Sequence, residues 1–353
     1  MFEFLNQARV VVCVGTGGVG KTTVAAALAY RAARRGRRVL VLTVDPSQRL
    51  KTTLGLATTG DWITVDASEL KGRLCASVMD VQKTFDSFVL KAAETQPEAR
   101  KILDNRLYKQ LTTTLGGSQE FSSIENLYAA VGSGEFDLVI LDTPPAQHVM
   151  DFLNAPQKLA SVFTEGIARW FRDPKAHGEN FWVSVFQSGT RQVLRVLERL
   201  TGSEFMRELS QFFQQIHTWQ AQLENRAVES HRILVHPETH FLMVAGFDEA
   251  KFIEAEKFSR EIKKNGYQLS GLIINRAKPL WAQMPSSQDP YCARFLDYYR
   301  RRSERTHEFE VRTKQLFEII ELPELDDDVH DLTGVRSLSE IIDRALESSR
   351  GSS

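Results

Sequence analysis

Cysteine is scarce in this chain. Cys13, Cys75 and Cys292 are the only three in 353 residues, and no two are neighbours. That speaks against a disulfide framework and a CxxC zinc site, and it points to a reducing, cytoplasmic home. A surplus of one charge is also missing. Lys plus Arg number 44 against 45 for Asp plus Glu, a formal net charge of −1. A nucleic-acid scaffold would normally be basic, so none is expected as a partner. A local basic patch remains open, and the run RAARRGRR from Arg31 to Arg38 is one. Apolar runs are short: none approaches the ~20 residues that cross a bilayer. The start, MFEFLNQARVVVCVG, carries an early Glu3 and soon enters a strand, unlike a secretory leader. Internal repeats are absent, and low complexity is confined to the polar end from Ser348 to Ser353. The expectation is a soluble protein.

What is present is an α/β pattern. The stretch from Arg9 to Val14 is β-branched without polar alternation, as in a strand covered on both faces. Lys21 to Arg35 is rich in alanine and is followed by Gly36, where a helix ends naturally. Arg38 to Val44 is the next buried strand and ends on Asp45. Strand, glycine loop, helix, strand makes a right-handed βαβ unit opening a parallel sheet. Further runs at Phe136–Leu141, Phe241–Ala245 and Leu272–Ile274 end at or near Asp142 and Asn275, and a weaker one at Leu74–Met79 ends on Asp80. In open α/β sheets ligands sit at those carboxyl ends. Residues 82–131 and 151–231 read as helical, the second dense in Phe and Trp, and are expected as an inserted α-helical subdomain. The sheet domain is then 1–81, 132–150 and 232–345, with a flexible tail at 346–353.

The stretch VGTGGVGKTT carries the chemistry. Gly15, Gly20, Lys21 and Thr22 meet the pattern G-x-x-x-x-G-K-[ST] between a strand and a helix, the context that a phosphate loop requires. Glycines at Gly15, Gly17, Gly18 and Gly20 allow backbone N–H groups to turn inward as an anion nest. The helix N-terminus adds partial positive charge. Lys21 is a cation for the β- and γ-phosphates, and the Thr22 hydroxyl is a hard ligand suited to Mg²⁺. Asp45 and Asp142, at strand ends, are placed to approach metal and γ-phosphate. The fold class is a P-loop NTPase with a mostly parallel sheet flanked by helices.

These motifs form a set: GGVGKTT, then Asp45-Pro46-Ser47, then Asp142-Thr143-Pro144-Pro145, then Ile274-Asn275-Arg276 and Leu322-Pro323-Glu324-Leu325. The set resembles the deviant P-loop ATPases of the ArsA type, which include the arsenical pump-driving ATPase and the ATPase that targets tail-anchored membrane proteins. The resemblance covers nearly the whole chain and implies an ATPase using ATP and Mg²⁺. Gly15, Thr16, Gly17, Gly18, Val19, Gly20, Lys21, Thr22 and Thr23 would line the phosphates. Lys21 and Asp45 would be catalytic, Asp45 positioning or activating the attacking water and reaching Mg²⁺ through water. Thr22 would ligate Mg²⁺ directly. Asp142 would open the second switch segment, Asn275 would hydrogen-bond adenine, and the backbone around Pro323 would cover the base. Family members act as nucleotide-gated dimers, so a homodimer, or a heterodimer with a related subunit, is implied.

Thr16 departs from the family. The signature loop begins with a lysine that reaches the partner's ATP, and a short neutral hydroxyl cannot reproduce it. Another basic residue serves, hydrolysis is slow, or a different partner chain contributes the charge. A switch with little or no ATPase activity is the alternative. The CxxC zinc pair of the targeting members is absent, and three scattered cysteines do not make an arsenite site. DNA-partitioning relatives would want a basic surface, and membrane-bound division-site relatives a basic amphipathic end. Ser337 to Ser348 is instead weakly acidic. The Phe- and Trp-rich insertion, with Phe181, Trp182, Phe212, Phe213 and Trp219, reads as helix packing or as an apolar groove for a hydrophobic client of a membrane.

Overall fold

A computed structural model of the chain describes residues 2–43, 49–56, 62–78, 80–93, 95–105, 108–109, 118–154, 220–279, 282, 288–313 and 317–348. Two compact units emerge: Met1–Met79 with Asn126–Met150 and Arg232–Ser353, and Asp80–Glu125 with Asp151–His231.

The first unit is built on the apolar runs. They become β1 (Val10–Gly15), β2 (Arg38–Thr43), β3 (Ile63–Thr64), β4 (Arg73–Val78), β5 (Leu138–Asp142), β6 (Thr239–Gly246), β7 (Leu269–Ala277) and β8 (Glu318–Pro323). They form one sheet in the order β3-β4-β2-β5-β1-β6-β7-β8. Every neighbouring pair is parallel except β3 with β4. All six residues of β1 are buried, which is why its sequence shows no polar alternation. From β1 the chain first builds outward to β2, β4 and β3, and later outward the other way to β6, β7 and β8. The topological switch point therefore falls at β1. The register pairs Cys13 with Asp142, Gly15 with Val244 and Gly246 with Asn275, so the residues singled out in the sequence share one edge of the sheet.

Strand ends differ from expectation in detail. β5 includes Asp142, and β6 and β7 extend beyond Phe241–Ala245 and Leu272–Ile274 at both ends. Asp80, after β4, caps the next helix, its carboxylate accepting from the Lys83 N–H at 3.1 Å. A carboxylate after a strand serves equally well as an N-cap.

The helix α1 (Phe4–Gln7) precedes β1, and α2 (Lys21–Arg34) follows it. In α2, Ala25, Ala26, Ala27, Ala29 and Ala33 are fully buried, so its backbone can lie close to the strands. Gly36, at φ 98°, ends it in the left-handed conformation. The short α3 (Arg49–Thr53) packs on α2. The last helix of the chain, Leu332–Ser348, packs along α2 through Val335, Leu338, Ile342 and Leu346. It corrects the tail expected at 346–353. The apolar spacing carries the helix through Leu346, which is buried, and on to Ser348; residues 349–353 lie outside the described ones.

The basic run after α2 is spent inside the fold. Arg31, Arg34 and Arg35 converge on Asp343 at 2.6, 2.6 and 2.7 Å. Arg37 donates to the carbonyls of Leu5, Ala8 and Asp137, and Arg38 pairs with the Asp137 carboxylate.

The second unit is helical where described. It contains α4 (Val81–Ala92) and α5 (Gln96–Leu103), and takes in part of α6 (Ser118–Ser133), of α7 (Ala146–Leu153) and of α8 (Gln220–Leu234). Phe121 packs against Phe85 and Phe88, at centroid distances of 5.0 and 5.6 Å. Arg226 meets the largely buried Glu125 at 2.9 Å. The Phe- and Trp-rich segment from Phe181 to Trp219 lies outside the described residues. Among the described residues no helix is long and apolar enough to cross a membrane.

Burial alone would raise the Asp343 carboxyl, but the surrounding guanidinium groups more than offset it and hold it below its ordinary value. A depressed carboxylate stabilises above its unfolded pKa and loses that contribution as pH falls through the folded one. Asp343→Asn should therefore cost about 2–3 kcal/mol in urea unfolding at pH 7. The gap to wild type should shrink below pH ~4, near the ordinary aspartate value. A loss under ~0.5 kcal/mol at pH 7 would contradict this role.

Candidate functional site

The loop between β1 and α2 is shaped by three glycines for different reasons. Gly15 (φ 154°) leaves the strand beneath the Val244 carbonyl, where a Cβ would stand 2.1 Å from that oxygen. Gly18 (φ 76°) and Gly20 (φ 88°) adopt left-handed backbone. A Cβ on Gly20 would meet Asn275 Nδ2 at 2.4 Å, whereas one on Gly17 or Gly18 would meet nothing within 4 Å. The loop is thus tightly held on its protein side and open on the other.

Two side chains brace it. Asn275, 8% exposed at the end of β7, donates from Nδ2 to the Val19 carbonyl at 2.8 Å. Lys21, 9% exposed, donates from Nζ to the Thr16 carbonyl at 2.9 Å. Through its bond to Val19, Asn275 fastens the loop. Gly20 precedes α2 without any side-chain cap, so the first-turn N–H groups of α2 keep their partial positive charge for a ligand. The Thr16 Oγ1 atom is buried and has no hydrogen-bond partner among the described residues.

Beside the loop, Thr22 Oγ1 donates to Asp142 Oδ2 at 2.6 Å, and Thr43 Oγ1 donates to the same oxygen at 3.0 Å. Asp142 is 2% exposed. Thr143 fixes the strand end through its N–H and Oγ1, both donated to the Cys13 carbonyl at 3.2 and 2.8 Å. Burial, with the Asp142 carboxylate second, pushes the Cys13 thiol far above its ordinary value, so it stays a thiol and not a soft-metal ligand. Cys75 is also buried and Cys292 is exposed. The donor set at the loop is hard oxygen, which suits magnesium.

A cleft of about 540 Å³ opens from the loop. Gly20, Thr23, Arg49, Asn275, Arg276 and Pro323 line it, and the carboxylates of Glu324, Asp327 and Asp328 lie on the same wall system. Arg276 has left-handed backbone, φ 55°, beside an irregularity in the β7–β8 pairing, and meets Asp328 at 3.4 Å. The structure therefore gathers Gly15 through Thr23, Asp142, Asn275 and Pro323 at one end of the sheet. Asp45 lies outside the described residues. Thr43, Arg49 and Arg276 were missed. Thr43 and Arg276 adjoin residues that were singled out, but Arg49 has no motif of its own.

A parallel sheet with a glycine loop at its switch point and a hydroxyl–carboxylate pair at the strand ends is the P-loop NTPase arrangement. A sequence profile described as anion-transporting ATPase, the ArsA ATPase family, matches residues 8–344, and the chain belongs to that family. It is similar to "ATPase GET3" of Malassezia globosa, with 23% identity over 337 residues, 94% of this chain and 90% of that protein. It is similar to "ATPase ASNA1 homolog 1" of Paramecium tetraurelia, with 24% identity over 271 residues, 74% and 73% of the two chains. An uncharacterized protein of Streptomyces coelicolor shares 34% identity over 155 residues, 43% of this chain and 38% of its own.

The two kinds of glycine separate experimentally. Gly15→Ala drives a Cβ into a backbone carbonyl and should cost about 3 kcal/mol or more in thermal or urea unfolding. Gly18→Ala faces open space and pays only for its φ, about 1–2 kcal/mol. Equal losses would contradict the geometry.

Proposed function

We propose that the chain binds Mg²⁺·ATP at the β1–α2 loop and hydrolyses it, as an ATPase of the ArsA family. The observation that carries this is the Thr22–Asp142 hydrogen bond, 2.6 Å long, at the uncapped N-terminus of α2. A hydroxyl has one proton and two lone pairs. Giving the proton to Asp142 leaves the Thr22 oxygen able to ligate a hard cation. When bound there, magnesium would supply charge neutralisation across the β- and γ-phosphates. The amides of Gly17 to Thr23 would cradle those phosphates, and the Lys21 ammonium would exchange the Thr16 carbonyl for phosphate oxygen. Asp142 would couple the γ-phosphate to the segment after β5, while Asp45 would position the attacking water and reach the metal through water. Asn275 would hydrogen-bond adenine, and the backbone around Pro323 would cover the base. The residues fit the group: the open side of the glycine loop leaves room that Cβ atoms at Gly17 and Gly18 would otherwise occupy.

Dimerisation, with a second copy or a related subunit, and coupling of opening and closing to a membrane-associated partner or hydrophobic client rest on the family resemblance. A second reading is a nucleotide-binding switch with little or no turnover. It is favoured by Thr16, whose short side chain carries no charge.

Phosphate release with Mg²⁺·ATP tests both. Wild type should release phosphate, Lys21→Ala should lose about 10²-fold or more, and Asp45→Asn a similar factor. Tight nucleotide binding with no phosphate release from wild type would establish the switch instead. Turnover unaffected by Lys21→Ala would end the ATPase reading of this loop.

A further inference from the structure

We propose that Arg49 supplies, from within the same chain, a cation to the nucleotide's phosphates that Thr16 does not provide. The proposal rests on the nucleotide reading of the cleft and extends it to a residue outside the phosphate-loop motif.

The observations begin with charge. Arg49 opens α3, which is anchored by the buried Leu50 and Thr53 and packs on α2. Its own side chain is exposed and lines the cleft together with Gly20 and Thr23 of the phosphate loop and first helical turn. Two other cations among the described residues of the region have partners. Arg276 faces Asp328, and Lys21 is bonded to the Thr16 carbonyl. Among the described residues Arg49 has no carboxylate within ion-pair distance and no hydrogen-bond acceptor. It is a guanidinium on a cleft wall with no carboxylate among the described residues placed to neutralise it.

The cleft also carries the carboxylates of Glu324, Asp327 and Asp328, one of which Arg276 offsets. A polyphosphate entering such a cleft meets a repulsive field unless a cation stands at the phosphate end. Thr16 is poorly placed to compensate. Its hydroxyl oxygen is buried, and its carbonyl already holds Lys21. Arg49 has the chemistry that the position lacks: a permanently charged planar fork that binds phosphate oxygens in pairs. Arginine on an exposed first turn, kept free of a partner, is entropically costly to order unless a ligand orders it. An anion is the ligand that its charge selects.

The test uses calorimetry of the full-length protein with two probes, Mg²⁺·ATP and magnesium pyrophosphate. Arg49→Ala should weaken both about 10- to 100-fold, because the lost contact is to phosphate and not to the base. Arg49→Lys should recover part of the affinity, a point charge replacing a fork. The unfolding midpoint without ligand should stay near the wild-type value, since the exposed Arg49 side chain makes no ion pair or hydrogen bond among the described residues. Unchanged affinity for pyrophosphate in Arg49→Ala would overturn the proposal, even if ATP binding fell, because Arg49 would then shape the base or ribose end. Wild-type heat that is absent for both probes would instead remove the nucleotide reading itself, and this proposal with it. Wild-type affinity for both probes kept in Arg49→Ala but lost in Lys21→Ala would sink Arg49 alone.

Discussion

The structure turns on the register between β1 and its two neighbours. Cys13 stands beside Asp142 and Gly15 beside Val244. From that alignment the Asp142 carboxylate reaches Thr22 in the first turn of α2, and the Val244 carbonyl leaves room for nothing larger than glycine at the strand end. A slip of one residue would turn Asp142 to the opposite face of the sheet and leave the Thr22 hydroxyl without its acceptor. Burial of both sheet faces fixes the register. The site is therefore a consequence of the core and not an addition to it.

The same logic explains the use of charge. The run from Arg31 to Arg38 looks, in sequence, like a basic surface. In the fold it joins α2 to the last helix through Asp343 and ties the starts of β1 and β5 through Arg37. Its charge holds α2 in place. Among the described residues at the cleft, Lys21 is held on a loop carbonyl and Arg49 stands exposed on the wall. A site that keeps its lysine on its own backbone has a ready exchange when an anion arrives, because one acceptor replaces another without exposing the ammonium.

Much of this was legible in the sequence, and the reasons are specific. Fully buried parallel strands read as unbroken β-branched runs, and the glycine pattern of the loop is dictated by backbone geometry, so β1, α2 and β2 and the class of fold follow from the residues themselves. Asp142 was legible because it ends such a run. The bond from Asn275 to the loop was not. Its place at a strand end was visible, but its bond to Val19, 256 residues away in sequence, depends on β6 and β7 pairing in register. Asp80 shows the converse, since a strand-end carboxylate and a helix cap are the same sequence signal. Arg49 carries no motif, and only the packing of α3 on α2 brings it to the cleft. The last helix runs through Leu346, which continues its apolar stripe, to Ser348.

The central claim is that this loop, and no other part of the chain, holds a magnesium nucleotide. A crystal structure of the protein grown with Mg²⁺ and a non-hydrolysable ATP analogue tests it most directly. The account predicts phosphates against the amides of Gly17 to Thr23, the metal on the Thr22 oxygen, and Lys21 Nζ moved from the Thr16 carbonyl to a phosphate oxygen. Analogue bound elsewhere, or bound here with Lys21 still on that carbonyl and no metal at Thr22, would contradict it.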